Sequence, residues 1–533
     1  MTERHRRVSY ARTLALLASW AGLAGAAELQ VSTTPQPPID SAAEVRVENN
    51  SILLTIDEAV TLALQRNLGI AVQRYSRETS RLGVQFNRGI YDLNLTANGT
   101  YSDAKVQTQE GSFQPPSLKA TQLDLGLAQL IPTGGTFTLG WQNSKSESGR
   151  PRDLPSGVGF QGTFFQTSPA VRFTQPLLRN FGKLATDRNI QVAQANSDIS
   201  RQSFELQVTS IVQQVENAYW DLRGAREQLR VANEALGLAK ELHQMNRVRV
   251  DVGTAAPLEL VQSEVGIATS EENIISAQAA VGDAGDRLRR LLNFQQGAAW
   301  DQEIVPETSP ETEHPTVDVP TAISTAMATR PELVTQKLTV KINEINNAYY
   351  HNQWLPRLDA SVGYGLKSGV AKSGDLFNSL SDFPSWNLGL AFAFPIQNRA
   401  ARAQSTIAGL NLDQAKTSER DLEVQVVTEV RTAARQVDTA AKQIDSAKVS
   451  STLAERNLDA ERKKYENGMS TSFQVTQIQQ DLTSARSREV NAVTGYRKAL
   501  VEYYRAIGKL LAQSGVAIAD AAPATAPAPA PAQ

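Results

Sequence analysis

Residues 54–104 and 317–367 of this chain align without a gap at an offset of 263 residues. Ala59 falls on Ala322, Ala63 on Ala326, Tyr91 on Trp354, Leu95 on Leu358, Ala97 on Ala360 and Tyr101 on Tyr364. FTQPLLRN (Phe173–Asn180) then matches FAFPIQNR (Phe392–Arg399) at an offset of 219, and VDVGTAAPLELVQ (Val250–Gln262) matches YENGMSTSFQVTQ (Tyr465–Gln477) at 215. Three matches in one order mean that a long unit is present twice. Its period is far longer than that of a solenoid repeat, so the chain is an internal duplication. The first copy carries about 44 extra residues between the first two landmarks.

Each copy reads as helix, strands, long helix, turn, helix. The opening helix is expected over about Asp57–Arg88, with Thr55 and Glu58 as a capping box, and over about Thr321–His351 in the second copy. The long helices are expected near Leu184–Arg249 and Ala403–Glu466. On the first, Val208, Ile211, Val215, Ala218 and Leu222 begin a run of alternating three- and four-residue steps that reaches Ala239. On the second, Val426, Val430, Ala433, Val437 and Ala440 begin one that reaches Leu458. That period is a coiled-coil seam, narrower than the buried face of a globular helix. A helix of about 64 residues is roughly 95 Å long, and the two shorter helices of a copy placed end to end span about as much. A long helix can therefore lie beside a stacked shorter pair, with Gly253 and Gly468 at the far tips of helical hairpins.

The strands, within about 92–177 and 357–395, alternate cleanly. Leu93, Leu95, Ala97, Gly99 and Tyr101 oppose Asn94, Thr96, Asn98 and Thr100, and Trp386, Leu388, Leu390 and Phe392 oppose Asn387, Gly389 and Ala391. One apolar face and one small polar face suit a lipid-facing wall around an aqueous lumen, and equally a soluble sandwich. So few strands cannot close a useful barrel, and several chains must then share one sheet. The excess of the first copy contains TQLDLGLAQL, PTGG and TFTLGWQN, which read as strand, tight turn, strand.

The ends and the composition set further bounds. Arg4, Arg6, Arg7 and Arg12, an apolar stretch Leu14–Leu23 and the small residues Ala24–Ala26 form the pattern of a signal peptide over 1–26. Residues 27–53 then form an N-terminal extension, 54–296 the first repeat, 297–316 a linker, 317–512 the second repeat and 513–533 an Ala/Pro tail expected to be disordered. The formal net charge of -2 gives no electrostatic case for a nucleic-acid partner. With no Cys and four His, of which His243 and His314 stand isolated, neither a thiolate metal site nor a nucleophile–histidine pair is indicated. PTGG is followed by neither GK[ST] nor a GxGxxG helix start, so no phosphate loop is read. No catalytic residue, cofactor or metal is assigned, and the fold class is mainly α with membrane β.

In order, spacing and duplication the chain resembles the TolC-type outer-membrane factor family over roughly Leu54–Leu511. The pieces that carry the resemblance are LTIDEAVTLALQRN, YDLNLTANGTYS, WLPRLDASVGYG, FTQPLL and FAFPI, with VGT (Val252–Thr254) and NGM (Asn467–Met469) at the tips. The resemblance implies a homotrimer. A β-barrel in the outer membrane would continue into a periplasmic α-helical barrel that passively exports substrates handed over by an inner-membrane transporter through a periplasmic adaptor. It makes Val252, Gly253, Thr254, Asn467, Gly468 and Met469 adaptor-contacting tips. It places the periplasmic entrance at Glu259, Tyr465, Gln474 and Gln477, and puts Ser470 where the family has a latching arginine. It leaves open whether the extra hairpin adds barrel strands or forms an external flap; the family's four strands per chain favour the flap. A structural or adhesive surface protein built from the same coiled coils is the competing reading.

Overall fold

The computed structural model describes residues 46–48, 51–105, 117–148, 162–294, 298–310, 317–380 and 382–516. The signal peptide, most of the N-terminal extension, the Ala/Pro run from 517 and parts of the loops and linker lie outside the described residues. β1 (Arg46–Glu48) and β2 (Ser51–Leu54) lead into the first copy, which opens with α1 (Ile56–Arg66) and α2 (Leu68–Arg88). Next come β3 (Asn94–Lys105), β4 (Ser117–Leu130), β5 (Thr136–Ser148), β6 (Gly162–Pro176), α3 (Arg188–Asp251) and α4 (Pro257–Leu292). β7 (Glu303–Pro306) lies in the linker. The second copy has α5 (Val319–Thr329), α6 (Pro331–Gln353), β8 (Arg357–Leu366), β9 (Ser368–Val370), β10 (Pro384–Ala393), α7 (Arg399–Glu466) and α8 (Ser472–Ala506).

The opening helix of each copy is broken rather than continuous, at Asn67 and Arg330, which stand at the same repeat offset of 263. Both take extended backbone, with ψ of 123° and 122°. Asn67 ends α1 and caps α2, its side chain accepting from the Gly69 and Ile70 N–H groups at 2.8 and 3.3 Å. Pro331 lacks an N–H and pushes Arg330 out of helical geometry, so a new helix starts there. The capping box at Thr55 and Glu58 is formed as expected.

α3 and α7 have 64 and 68 residues, close to 100 Å each. Each folds back through its tip onto α4 or α8, and α8 also packs on α3. The seams bury Val208, Ile211, Val215, Ala218 and Leu222 on α3 and Val426, Val430, Ala433, Val437 and Ala440 on α7. Near the middle of the body, β1, β2 and β7 form a small sheet, in which β2 pairs antiparallel with β1 and parallel with β7. Strands of only three or four residues leave no alternation to read, so this sheet was not expected. Tyr219 of α3, fully buried, fastens it by donating to the Leu54 carbonyl at 3.0 Å and accepting from the Thr308 N–H at 2.9 Å.

The large sheet is antiparallel in the order β10-β8-β6-β5-β4-β3, with β9 pairing β6. The extra hairpin of the first copy is not a flap. β4 and β5 sit inside the sheet, paired with β3 on one side and β6 on the other along their lengths. Directly opposed residues share a face, so the register can be read across all six strands. One rung is Leu95, Leu127, Leu139, Val171, Tyr364 and Trp386; the next is Thr96, Gly126, Gly140, Ala170, Gly365 and Ser385. One face is thus large and apolar, and the other small. Leu95, Leu388 and Trp386 are 72%, 74% and 78% exposed, a surface that a lone chain in water would not hold open. No described helix is long and apolar enough to cross a membrane.

Candidate functional site at the hairpin tips

Both reversals are built on one backbone device. Gly253 and Gly468 have φ of +78° and +76°, the left-handed region that glycine adopts without a Cβ penalty. At the first tip the Gly253 and Thr254 N–H groups donate to the Val250 and Arg249 carbonyls at 2.9 and 2.8 Å. At the second, Gly468 and Met469 donate likewise to Tyr465 and Lys464 at 3.0 and 2.9 Å. Pro257 opens α4, and Thr471 caps α8 by accepting from the Gln474 N–H at 3.3 Å. Glu259 and Gln474 therefore lie in the first turns of the two returning helices. Val252 and Met469 stand 67% and 71% exposed at the tips.

Above the tips the two hairpins are tied together by a buried polar cluster. The Tyr465 hydroxyl lies 2.5 Å from Asn246 Oδ1 and 2.9 Å from Glu259 Oε2. Asn246 is fully buried and spends its amide hydrogens on the Glu259 carbonyl at 3.1 Å and Ser472 Oγ at 2.8 Å. Its oxygen is thus the end that meets the tyrosine. One phenolic proton serves two acceptors from two different helices. Burial, and then the Glu259 carboxylate, push the Tyr465 phenol up to about 12. The Arg249 guanidinium stacks 4.5 Å from the Tyr465 ring centroid and donates to the Tyr465 carbonyl at 2.7 Å. These groups border a groove of about 310 Å³ lined by Gln244, Met245, Val248, Arg249, Tyr465 and Glu466.

Of the residues expected at an entrance, Tyr465 and Glu259 meet directly. Gln474 and Gln477 are exposed on α8, and Gln477 reaches Asp481 at 3.4 Å. Ser470 turns back within its own hairpin and donates to Glu461 Oε1 at 2.5 Å, while Lys464 donates to the other oxygen at 3.1 Å. That hydroxyl first, then the lysine, holds the Glu461 carboxyl below its ordinary value. Cations that do span the hairpins near this level are Arg249 of α3, on the Tyr465 carbonyl, and Arg462 of α7, on Glu241. Asn246 and Arg249 were not anticipated. The repeat offset of 215 places Asn246 on Glu461, and the structure buries both, but nothing in the sequence marks either. Among the described residues no group of His, Asp and Glu is arranged to hold a metal.

The model of a family described as "Outer membrane efflux protein" matches residues 59–293 and 322–509, falling on the two copies separately. No curated protein matches the chain. Several solved structures share its fold. The Campylobacter jejuni CmeC outer membrane channel is 16% identical with a TM-score of 0.62, over 85% of this chain and 86% of that one. The outer-membrane channel OprN is 16% identical with a TM-score of 0.64, over 85% and 90%. The Vibrio cholerae outer membrane protein VceC is 14% identical with a TM-score of 0.63, over 85% and 96%. At such identities the likeness is one of fold.

Proposed function

The chain belongs to the outer membrane efflux protein family, and from that premise we propose that it is the trimeric, passive exit duct of an efflux or type I secretion assembly. It is a transport protein of the outer membrane and not an enzyme. The observation that carries the proposal is the two-faced sheet continuing into helical hairpins close to 100 Å long. The apolar face meets lipid, the small polar face lines the lumen, and the helices cross the periplasm. An inner-membrane transporter and a periplasmic adaptor deliver the substrate. Val252, Thr254, Asn467 and Met469, with the turn glycines Gly253 and Gly468, meet the adaptor. In the resting state the Tyr465 cluster and Arg249 hold the two hairpins together and narrow the entrance. Ser470 leaves the family's arginine latch vacant. Three copies of Glu259, Gln474 and Gln477 ring the entrance and make it modestly cation-selective.

Single-channel recording in a planar bilayer tests this. Discrete conductance steps from purified trimers are expected, and silence from well-folded trimers would favour the structural or adhesive reading. On the same channels, Glu259→Gln should reduce the reversal potential under a salt gradient. An unchanged value would place selectivity elsewhere.

A further inference from the structure

The β4–β5 hairpin raises the strand count of each chain to six on one continuous path. Its turn lies at the helical end of the sheet, not at the outer end. The Gly182 N–H and Gln175 Nε2 both donate to the Thr133 carbonyl at 2.9 Å, and Thr133 Oγ1 donates to Gln175 Oε1 at 2.7 Å. Gly134 has a φ of +85°, and a Cβ there would stand 2.4 Å from the Asn180 carbonyl oxygen. The turn is thus seated on the rim where β6 leaves the sheet for the helical body. From that rim β4 and β5, of 14 and 13 residues, are long enough to cross the hydrocarbon layer at a tilt. Leu125, Leu127 and Leu139 continue the apolar face, and Asp124, Thr138 and Gln142 the polar one. On the apolar side Asp103 pairs with Lys119, and Lys145 with Glu147, beyond the leucines at the outer end.

We propose that the outer-membrane pore is an eighteen-stranded barrel in which β4 and β5 of each chain form a third of the wall, giving an outlet of porin width for bulky hydrophilic cargo. The proposal rests on the trimeric duct argued above. With neighbouring strands about 4.8 Å apart and tilted by about 40°, eighteen strands give a backbone diameter of about 36 Å, and twelve about 24 Å. The rung Gly126, Gly140 and Ala170 leaves that width open on the lumen side, and Asp124, Gln142 and Arg172 make the same face polar. Cargo size is then limited at the periplasmic entrance and not at the outlet.

The natural absence of Cys allows a direct test. Single variants Leu125→Cys, Leu127→Cys and Leu139→Cys, and Asp124→Cys, Thr138→Cys and Gln142→Cys, are spin-labelled in trimers in lipid bilayers. The first set should be relaxed by oxygen and the second by a water-soluble nickel chelate. Polyethylene glycols added at the outer face should enter the open channel up to a larger size than those added at the periplasmic face. Chelate access to all six labels would overturn the proposal, and conductance steps in those same samples would leave the duct itself standing. Equal polymer cut-offs from both faces would remove the wide outlet. Alternating labels on protein that never conducts would remove the proposed function and keep the hairpin's place in the wall.

Discussion

Tyr465 holds the proton that joins the two hairpins near their tips. Its hydroxyl faces a buried amide oxygen and a carboxylate, and Tyr465→Phe removes the donor from both at once. Leaving Asn246 Oδ1 buried and unpaired costs about 1–3 kcal/mol, so the variant should show a lower unfolding midpoint and a larger resting conductance than the parent. An unchanged conductance would mean that the cluster does not hold the entrance. The pH dependence has a definite sign. The phenol is raised from 10.0 to about 12, so the folded tip prefers the neutral form. That preference contributes fully below pH 10 and is lost as pH rises towards 12. Resting conductance of the parent should climb across that window, and Tyr465→Phe should flatten the climb. Tyr465 and Glu259 were named only through the family resemblance, and the structure brings their side chains together. Arg249 and Asn246 were not named, since each is an ordinary polar residue of a long helix whose partner is more than 200 residues away in sequence.

Among the elements, the long seams were readable because a three–four spacing survives for many turns and names its own face. The breaks at Asn67 and Arg330 passed unseen because the apolar pattern runs through them. Only the local chemistry of Asn67 and Pro331 interrupts the backbone ladder. The place of β4 and β5 was not legible either. Alternation identifies strands and their faces but does not say which neighbour they pair with. Close packing of helices gives a further test. Gly224 of α3 is buried against α8, where an added Cβ would meet Thr494 Oγ1 at 2.7 Å. A single methyl can be met by rotation of the Thr494 side chain, but a branched side chain needs the helices to part. Gly224→Leu should destabilise the fold by about 1–3 kcal/mol and Gly224→Ala far less, as read by thermal unfolding of the detergent-solubilised protein. At the tips the constraint is backbone conformation alone, since nothing lies within 4 Å of a Cβ at Gly253 or Gly468. Even Gly253→Ala should therefore cost about 1–2 kcal/mol, and adaptor crosslinking should weaken with it.

At the scale of the whole molecule, the sheet ends in two open edges, β3 and β10. Each would present a row of unpaired N–H and C=O groups to hydrocarbon, at several kcal/mol per group. The six strands alternate in direction, so β3 runs away from the helical body and β10 runs towards it. The β3 edge of one chain can therefore pair antiparallel with the β10 edge of the next, and the even strand count lets the pattern close without a parallel seam. The faces must also agree, with Leu95 and Ala97 on the same side as Leu388 and Leu390. Ala97→Cys combined in one chain with Leu388→Cys, Leu390→Cys or Phe392→Cys should yield, under mild oxidation in membranes, crosslinked species that stop at three chains. Pairing Ala97→Cys with Gly389→Cys, on the opposite face, should yield little. A ladder extending beyond three would mean an open or larger ring. Absence of crosslinks at every β10 position, with the protein inserted, would mean that the edges are covered by something other than a second copy of this chain.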